Sequence, residues 1–164
     1  MFSPWAVYES AWDISEDFLK KNGIKALLLD IDNTLSVHCG GTPFLEVTGW
    51  LERMKAAGIK VILVSNNHAP RIKPFAEKLD LPYVTDAKKP LPFGYIKALF
   101  EIGVKKREAA AIGDQIFTDI IGANLAGIRS IFVFPKVPET SLPFRFKRAL
   151  EKPLLPSRRR IGGR

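Results

Sequence analysis

Four short apolar runs constrain this chain more than anything else in it. They are "KALLLDI" at 25–31, "KVILVS" at 60–65, "AAAIG" at 109–113 and "SIFVF" at 130–134. None alternates polar with apolar residues. Each therefore reads as a strand buried on both faces, the pattern of a parallel sheet. Helical patterns lie between them. In 44–57, Phe44, Val47, Leu51 and Met54 recur every three or four positions, and Gly58 follows as a stop. Residues 70–79 and 91–101 carry Pro70 and Pro92 near their starts, where proline suits a helix. A shorter helix is predicted over 118–126, with Thr118 as its candidate cap. Tyr83–Val84 marks one more strand. The alternation predicts an α/β fold of three-layer, Rossmann-like type. Its central sheet is mainly parallel, of about five strands, with helices on both faces.

The 164 residues suit one domain with a real core. Apolar stretches such as "ALLL" and "VILV" are far too short to cross a bilayer. The start, "MFSPWAVYESAWD", lacks the basic-then-apolar order of a secretory signal. Cys39 is the sole cysteine, so no disulfide forms within the chain, and a cytoplasmic setting is expected. Beside "HCGG" it reads as a loop thiol rather than a nucleophile, for no His–Asn or His–Asp partner pattern accompanies it. The net charge of +8 is local. Residues 136–164 hold nine Lys/Arg against two acids, a net of +7, leaving +1 for the rest. A basic extension of this kind attracts anionic lipid head groups or nucleic acid, or serves only as a solvated end. The expected organisation is an N-terminal lead over 1–23, a main domain over 24–135, and a basic, partly disordered extension over 136–164.

In open α/β sheets, ligands bind beyond the carboxyl ends of the strands. "DIDNTL" at 30–35 lies at such an end. Side chains alternate along a strand, so Asp30 and Asp32 lean the same way with Ile31 opposite. The next strand ends in "VSNN", offering the Ser65 hydroxyl and the Asn66 amide. "DAKKP" brings Lys88 and Lys89, and "IGDQIFTD" brings Asp114 and Asp119. Brought together, these ends make a cleft of four carboxylates, one hydroxyl and at least one ammonium. Clustered carboxylates need a cation, and oxygen donors without a His/Cys cluster suit Mg²⁺ rather than zinc. A hydroxyl and a lysine suit phosphate oxygens. One carboxylate can attack phosphorus, and a second, two residues on, can protonate the leaving oxygen and then activate water. The residue types therefore point to Mg²⁺-dependent phosphoryl transfer.

"DIDNTL", "VSNN", "KKP" and "GDQIFTD", in this order, resemble the four motifs of the haloacid dehalogenase-like superfamily over roughly residues 24–135. The resemblance implies Asp30 as nucleophile and metal ligand. It implies Asp32 as general acid/base, with its backbone carbonyl on the metal. Ser65 would bind phosphoryl oxygens, with Asn66 beside it, and Thr34 would orient the nucleophile loop. Lys89, in preference to Lys88, would neutralise nucleophile and phosphate. Asp114 would be an acidic metal ligand, and Asp119 a second ligand or a partner behind the first. The bland alternatives are that Asn33 and Thr34 only shape the turn, and that Asp119 only opens a helix.

The gaps between motifs, 33 residues from Asp32 to Ser65 and 24 from Ser65 to Lys89, leave no room for a cap domain. An open site admits a lipid head group at a membrane surface, a protein or a nucleic-acid end. "LLLDIDNTL", "GIKVILVSNN", "KKP" and "IGDQIFTDIIGAN" look most like the capless subclass III group that includes phosphatidylglycerophosphate phosphatases. The implied substrate is an anionic lipid, met at the inner face of the membrane by a peripheral enzyme. Trp5, Tyr8, Trp12 and Phe18 in the lead could sit at an interface, but packing on the domain with the aromatics buried is the favoured reading. Two other functions also fit the sequence. One is a phosphatase for a soluble phosphomonoester or a nucleic-acid 3′-phosphate. The other is a non-enzymatic module binding RNA or an assembly through the basic extension.

Overall fold

The apolar runs form the middle of one sheet in the computed structural model, which describes residues 1–37, 41–138, 142–155 and 162–163. Cys39 lies outside the described residues, as do Arg158, Arg159, Arg160 and Arg164 of the basic extension. The strands are β1 (Ala6–Tyr8), β2 (Ala26–Leu29), β3 (Lys60–Val64), β4 (Tyr83–Val84), β5 (Ala109–Gly113), β6 (Arg129–Val133) and β7 (Gly162–Gly163), in the order β4-β3-β2-β5-β6-β1-β7. Every pairing is parallel except that of β1 with β7. β2 lies inside the sheet, with Leu27 opposite Val61 on one side and Ala110 on the other.

The continuous hydrophobicity of β2 has a direct cause. Leu27 and Leu29 enter one core and Ala26 and Leu28 the other, all without exposure. Helices α1 (Glu16–Lys21), α2 (Leu45–Ala56) and α3 (Ala69–Leu79) cover the first face. Helices α4 (Phe93–Ile102) and α5 (Ile121–Ala126) cover the second. The three-layer expectation holds, with no cap domain. Among the described residues α2 alone fills the link from β2 to β3, and α3 the link from β3 to β4.

Local chemistry explains the helix ends. Ser15 caps α1 by accepting from Phe18 N at 3.2 Å. α2 buries Val47, Trp50, Leu51 and Met54, so Trp50 joins the stripe while Phe44 stays outside as the N-cap. Gly58 takes φ +75°, a left-handed turn open to glycine. The predicted helix over 118–126 is different in detail. Residues Ile116–Ile120 form a wide π turn that runs into α5, and no side chain caps α5. Thr118 instead donates to Gln115 Oε1 at 3.2 Å. Such turns recur at functional sites because they re-aim side chains.

Two strands at one end of the sheet, β1 and β7, were not foreseen. β1 comes from the lead, where three residues are too few to show a period. The lead's aromatics pack inward: Trp5 and Phe18 rings are 5.3 Å apart, and Trp12 and Phe44 are 5.6 Å apart. Trp50 Nε1 donates to Ile14 O at 3.0 Å and ties the lead to α2. After β6 the chain forms α6 (Leu142–Glu151). No helix among the described residues is long and apolar enough to cross a membrane.

Candidate active site

Asp30 stands one residue past β2. Its N–H donates to Ile112 O at 3.0 Å, extending the ladder so that the carboxylate faces out of the sheet's carboxyl end. Ile31 turns into the core at 3% exposure, and Asp32 returns to the side of Asp30. The turn then tightens. Asn33 adopts φ +60°, a conformation Asn tolerates better than most residues, and donates from its backbone to Ser36 O at 2.7 Å. Its side chain accepts from Val137 N at 3.3 Å. Thr34 is buried, and its hydroxyl has no hydrogen-bond partner among the described residues.

Lys89 is the hub. Its ammonium donates to Asp30 Oδ1 at 2.6 Å, to Asp119 Oδ1 at 2.7 Å and to Val64 O at 3.0 Å, with the side chain 3% exposed. Lys88 is exposed. Asn66 makes a reciprocal pair with the Lys89 backbone, accepting from its N–H at 2.7 Å and donating to its C=O at 3.1 Å. The amide thus positions the lysine. Ser65 is buried, and its hydroxyl accepts from Asn67 N at 3.1 Å.

Asp114 follows β5 and is fully buried. The π turn brings Asp119 back, so that its Oδ2 accepts from Gln115 N at 3.1 Å. Gly113 makes this possible: a Cβ there would overlap the Asp119 side chain. Oxygens of Asp30, Asp114 and Asp119 lie within 4.8 Å of one another. Three acids this close repel unless a cation sits among them, and Lys89 meets two of them. The donors are all hard oxygens, as Mg²⁺ requires, so the set fits that ion. Asp32 lies apart from this trio, its carboxylate turned toward α3.

Burial raises the Asp30 carboxyl to about 7; Lys89 opposes the rise, while Asp119 and Asp32 add to it. Burial also works against the Lys89 ammonium, but Asp119 and Asp30 outweigh it and hold its pKa well above the usual value. Lys89 is therefore charged whenever the site is, and a bound cation would favour ionised Asp30 further.

Sequence reasoning missed several participants. Arg71 Nη2 lies 2.6 Å from Asp32 Oδ1, and Asn67 Nδ2 donates to Asp32 Oδ2 at 2.9 Å. Asn67 was visible as the last residue of "VSNN". Arg71 gave no such signal, for it reaches the site only because the first turn of α3 lies over the end of β3. Tyr95, from α4, donates to Asp119 O at 3.3 Å and supports the π turn from beneath.

A carboxylate at a strand end, a lysine bridging buried acids and a trio of carboxylates are groups that phosphoryl-transfer chemistry can use. Residues 17–127 match the model of the haloacid dehalogenase-like hydrolase family, and the chain belongs to that family. The Bacillus subtilis protein named "Probable phosphatase YqeG" is 34% identical over 161 residues, 98% of this chain and 94% of that one. A phospholysine phosphohistidine inorganic pyrophosphate phosphatase of Xenopus laevis is 43% identical over 128 residues, 74% of this chain but 40% of its own length. The cobalt-bound deoxy-D-mannose-octulosonate 8-phosphate phosphatase of Haemophilus influenzae superposes with a TM-score of 0.57 at 18% identity, covering 79% of this chain and 77% of that one. The 4-nitrophenylphosphatase of Thermotoga maritima gives 0.60 at 14% identity, covering 75% and 90%. Family and site together make this enzyme a phosphatase.

Proposed function

We propose that the chain hydrolyses phosphatidylglycerophosphate to phosphatidylglycerol through an aspartyl-phosphate on Asp30. The observation that carries the chemistry is Lys89 bridging Asp30 and Asp119, with Asp114 completing the carboxylate cluster. The Asp30 carboxylate attacks phosphorus, and the bond to the leaving oxygen breaks. Asp32 supplies the proton that the alcohol takes. Water then attacks the phosphoryl group, Asp32 accepts its proton, and the Asp30–phosphorus linkage opens to release inorganic phosphate. Ser65 binds the phosphoryl oxygens, and Lys89 offsets their charge. Asp30, Asp114 and Asp119, with the Asp32 backbone carbonyl, would hold Mg²⁺, which supplies charge stabilisation at the phosphoryl oxygens.

The lipid assignment draws support from the chain's surface. The site has no cap. Leu142, Phe146 and Leu150 of α6 stand at i, i+4 and i+8, exposed by 75%, 69% and 52%, with exposed Arg145 on the same helix. Apolar and basic residues so arranged suit an anionic membrane surface. This extension is also tied to the site. Val137 N meets Asn33 in the nucleophile turn, and the buried Glu151 accepts from Phe117 N at 2.9 Å in the π turn. The enzyme would then work at the inner membrane face, peripherally held.

The test is Mg²⁺-dependent phosphate release from phosphatidylglycerophosphate in micelles, soluble sugar phosphates and 3′-phosphorylated oligonucleotides, with Asp30→Asn as the blank. Preference for the lipid is expected. Release from a soluble phosphate alone would keep the chemistry and overturn the substrate. Asp32→Asn should slow turnover by roughly 10²- to 10⁴-fold, and unchanged turnover would remove its role.

A further inference from the structure

We infer that Arg71 is a recognition residue for a second anionic group on the leaving-group side of the substrate, and that Asp32 is where its guanidinium rests when no substrate is bound. The inference rests on the phosphatase reading of the site, though not on the lipid.

Asp32 is held on both oxygens, Oδ1 by Arg71 at 2.6 Å and Oδ2 by Asn67 at 2.9 Å. To serve a leaving oxygen, it must turn one of them toward the substrate. Asn67 is not the partner that leaves. Its backbone N–H is bonded to Ser65 Oγ, and its side-chain amide lies 3.4 Å from the same atom, which ties it to the phosphate side. Arg71 is the movable partner. Its side chain is 35% exposed against 12% for Asp32, and it reaches Asp32 from the first turn of α3 through one terminal nitrogen. A guanidinium offers a planar fork of donors that a phosphate can engage two at a time.

Position defines the ligand class. A general acid works within about 3 Å of the leaving oxygen. Arg71 is 2.6 Å beyond that acid, which puts the guanidinium within about 6 Å of the leaving oxygen. A bridge of about two or three carbons, folded back, keeps a second anion within reach of a guanidinium so placed. The fitting substrate is thus a phosphomonoester whose alcohol carries a second phosphate or phosphodiester a short carbon chain away. Lys89 cannot serve that group, because it is buried on Asp30 and Asp119. Binding such a substrate transfers Arg71 from Asp32 to the second anion as the leaving oxygen arrives.

Propane-1,3-diyl bisphosphate and propyl phosphate differ only in the second phosphate. Their dissociation constants are measured by calorimetry with Mg²⁺ on full-length Asp30→Asn, which lacks the proposed nucleophile, with Arg71, Arg71→Gln or Arg71→Lys. With Arg71 the bisphosphate should bind tighter by roughly 10- to 100-fold, the strength of charge-assisted hydrogen bonding. Gln should abolish most of that preference, and Lys should restore part of it. No preference with Arg71, or the same preference with Gln, overturns the proposal. Kinetics on the Asp30 enzyme separate recognition from a structural role. Arg71→Gln should raise KM far more for a phosphomonoester bearing a second anion than for one without it, whereas equal losses on both would reduce Arg71 to a prop for Asp32. Presenting the same head group deacylated and in micelles distinguishes a soluble from a lipid source. An enzyme that hydrolyses no phosphomonoester refutes the phosphatase reading, and the binding ratio still decides the assignment of Arg71.

Discussion

Replacing Lys89 by Met removes the cation from a buried cluster of acids while keeping much of the side chain's bulk. In the native site Nζ is 2.6 Å from Asp30 Oδ1 and 2.7 Å from Asp119 Oδ1. Breaking a buried pair by deleting one partner costs about 3–5 kcal/mol, because the survivor keeps its burial and loses its compensation. Two carboxylates lose the same partner here, yet proton uptake and water entry limit the damage, so that range is taken without doubling. With a urea slope of about 2 kcal/mol per molar, the midpoint in EDTA should fall by about 1.5–2.5 M. Mg²⁺ at a hundred times its Kd returns about 2.7 kcal/mol to any state whose acids bind it. The variant should therefore regain much of its midpoint with Mg²⁺ while its phosphate release stays lost. A variant that unfolds in EDTA at the wild-type midpoint would refute the view that Lys89 holds these acids together.

Asp30→Asn should abolish phosphate release and also change how stability follows pH. Burial lifts the folded Asp30 pKa from 3.8 to about 7, so between those values the folded chain keeps a proton that the unfolded chain has lost. Because only the unfolded chain releases its proton in that interval, stability falls as pH rises, a loss the Asn variant avoids. In EDTA the variant should gain on the wild type from about pH 4 to about pH 7 and then level off; a flat difference across that interval refutes the assignment. Gly113→Ala drives a Cβ into Asp119. Activity measured against far-UV circular dichroism should show turnover lost with the fold retained, and full activity would mean that Asp119 need not approach β5 so closely. Trp50→Ala empties a site of 1% exposure and breaks the bond to Ile14 O, so a loss of about 3–5 kcal/mol is expected in urea unfolding. A loss under about 1 kcal/mol would show that the lead and α2 are not coupled through Trp50.

The central strands were legible because a strand covered on both faces must be apolar at every position, and runs this short, bounded by turn residues, do not suit a buried helix. The order of the acids, the serine and the lysine was legible too, since the carboxyl ends of parallel strands converge whatever the loops do. β1 was not legible. Ala6–Tyr8 becomes a strand only because β6 offers an unpaired edge to it. Nor was the π turn over Ile116–Ile120, which exists to bring Asp119 back onto Lys89. The chain alone determined which chemical groups stand at the strand ends, because burial and periodicity are written locally. Only the tertiary structure decided which of them touch. Lys89 bridges Asp30 and Asp119, Asn66 holds the lysine's backbone, and Arg71 lies on Asp32, each contact spanning 23 or more residues of chain. Such contacts depend on how helices seat over the sheet, a property of packing between layers that no local pattern encodes.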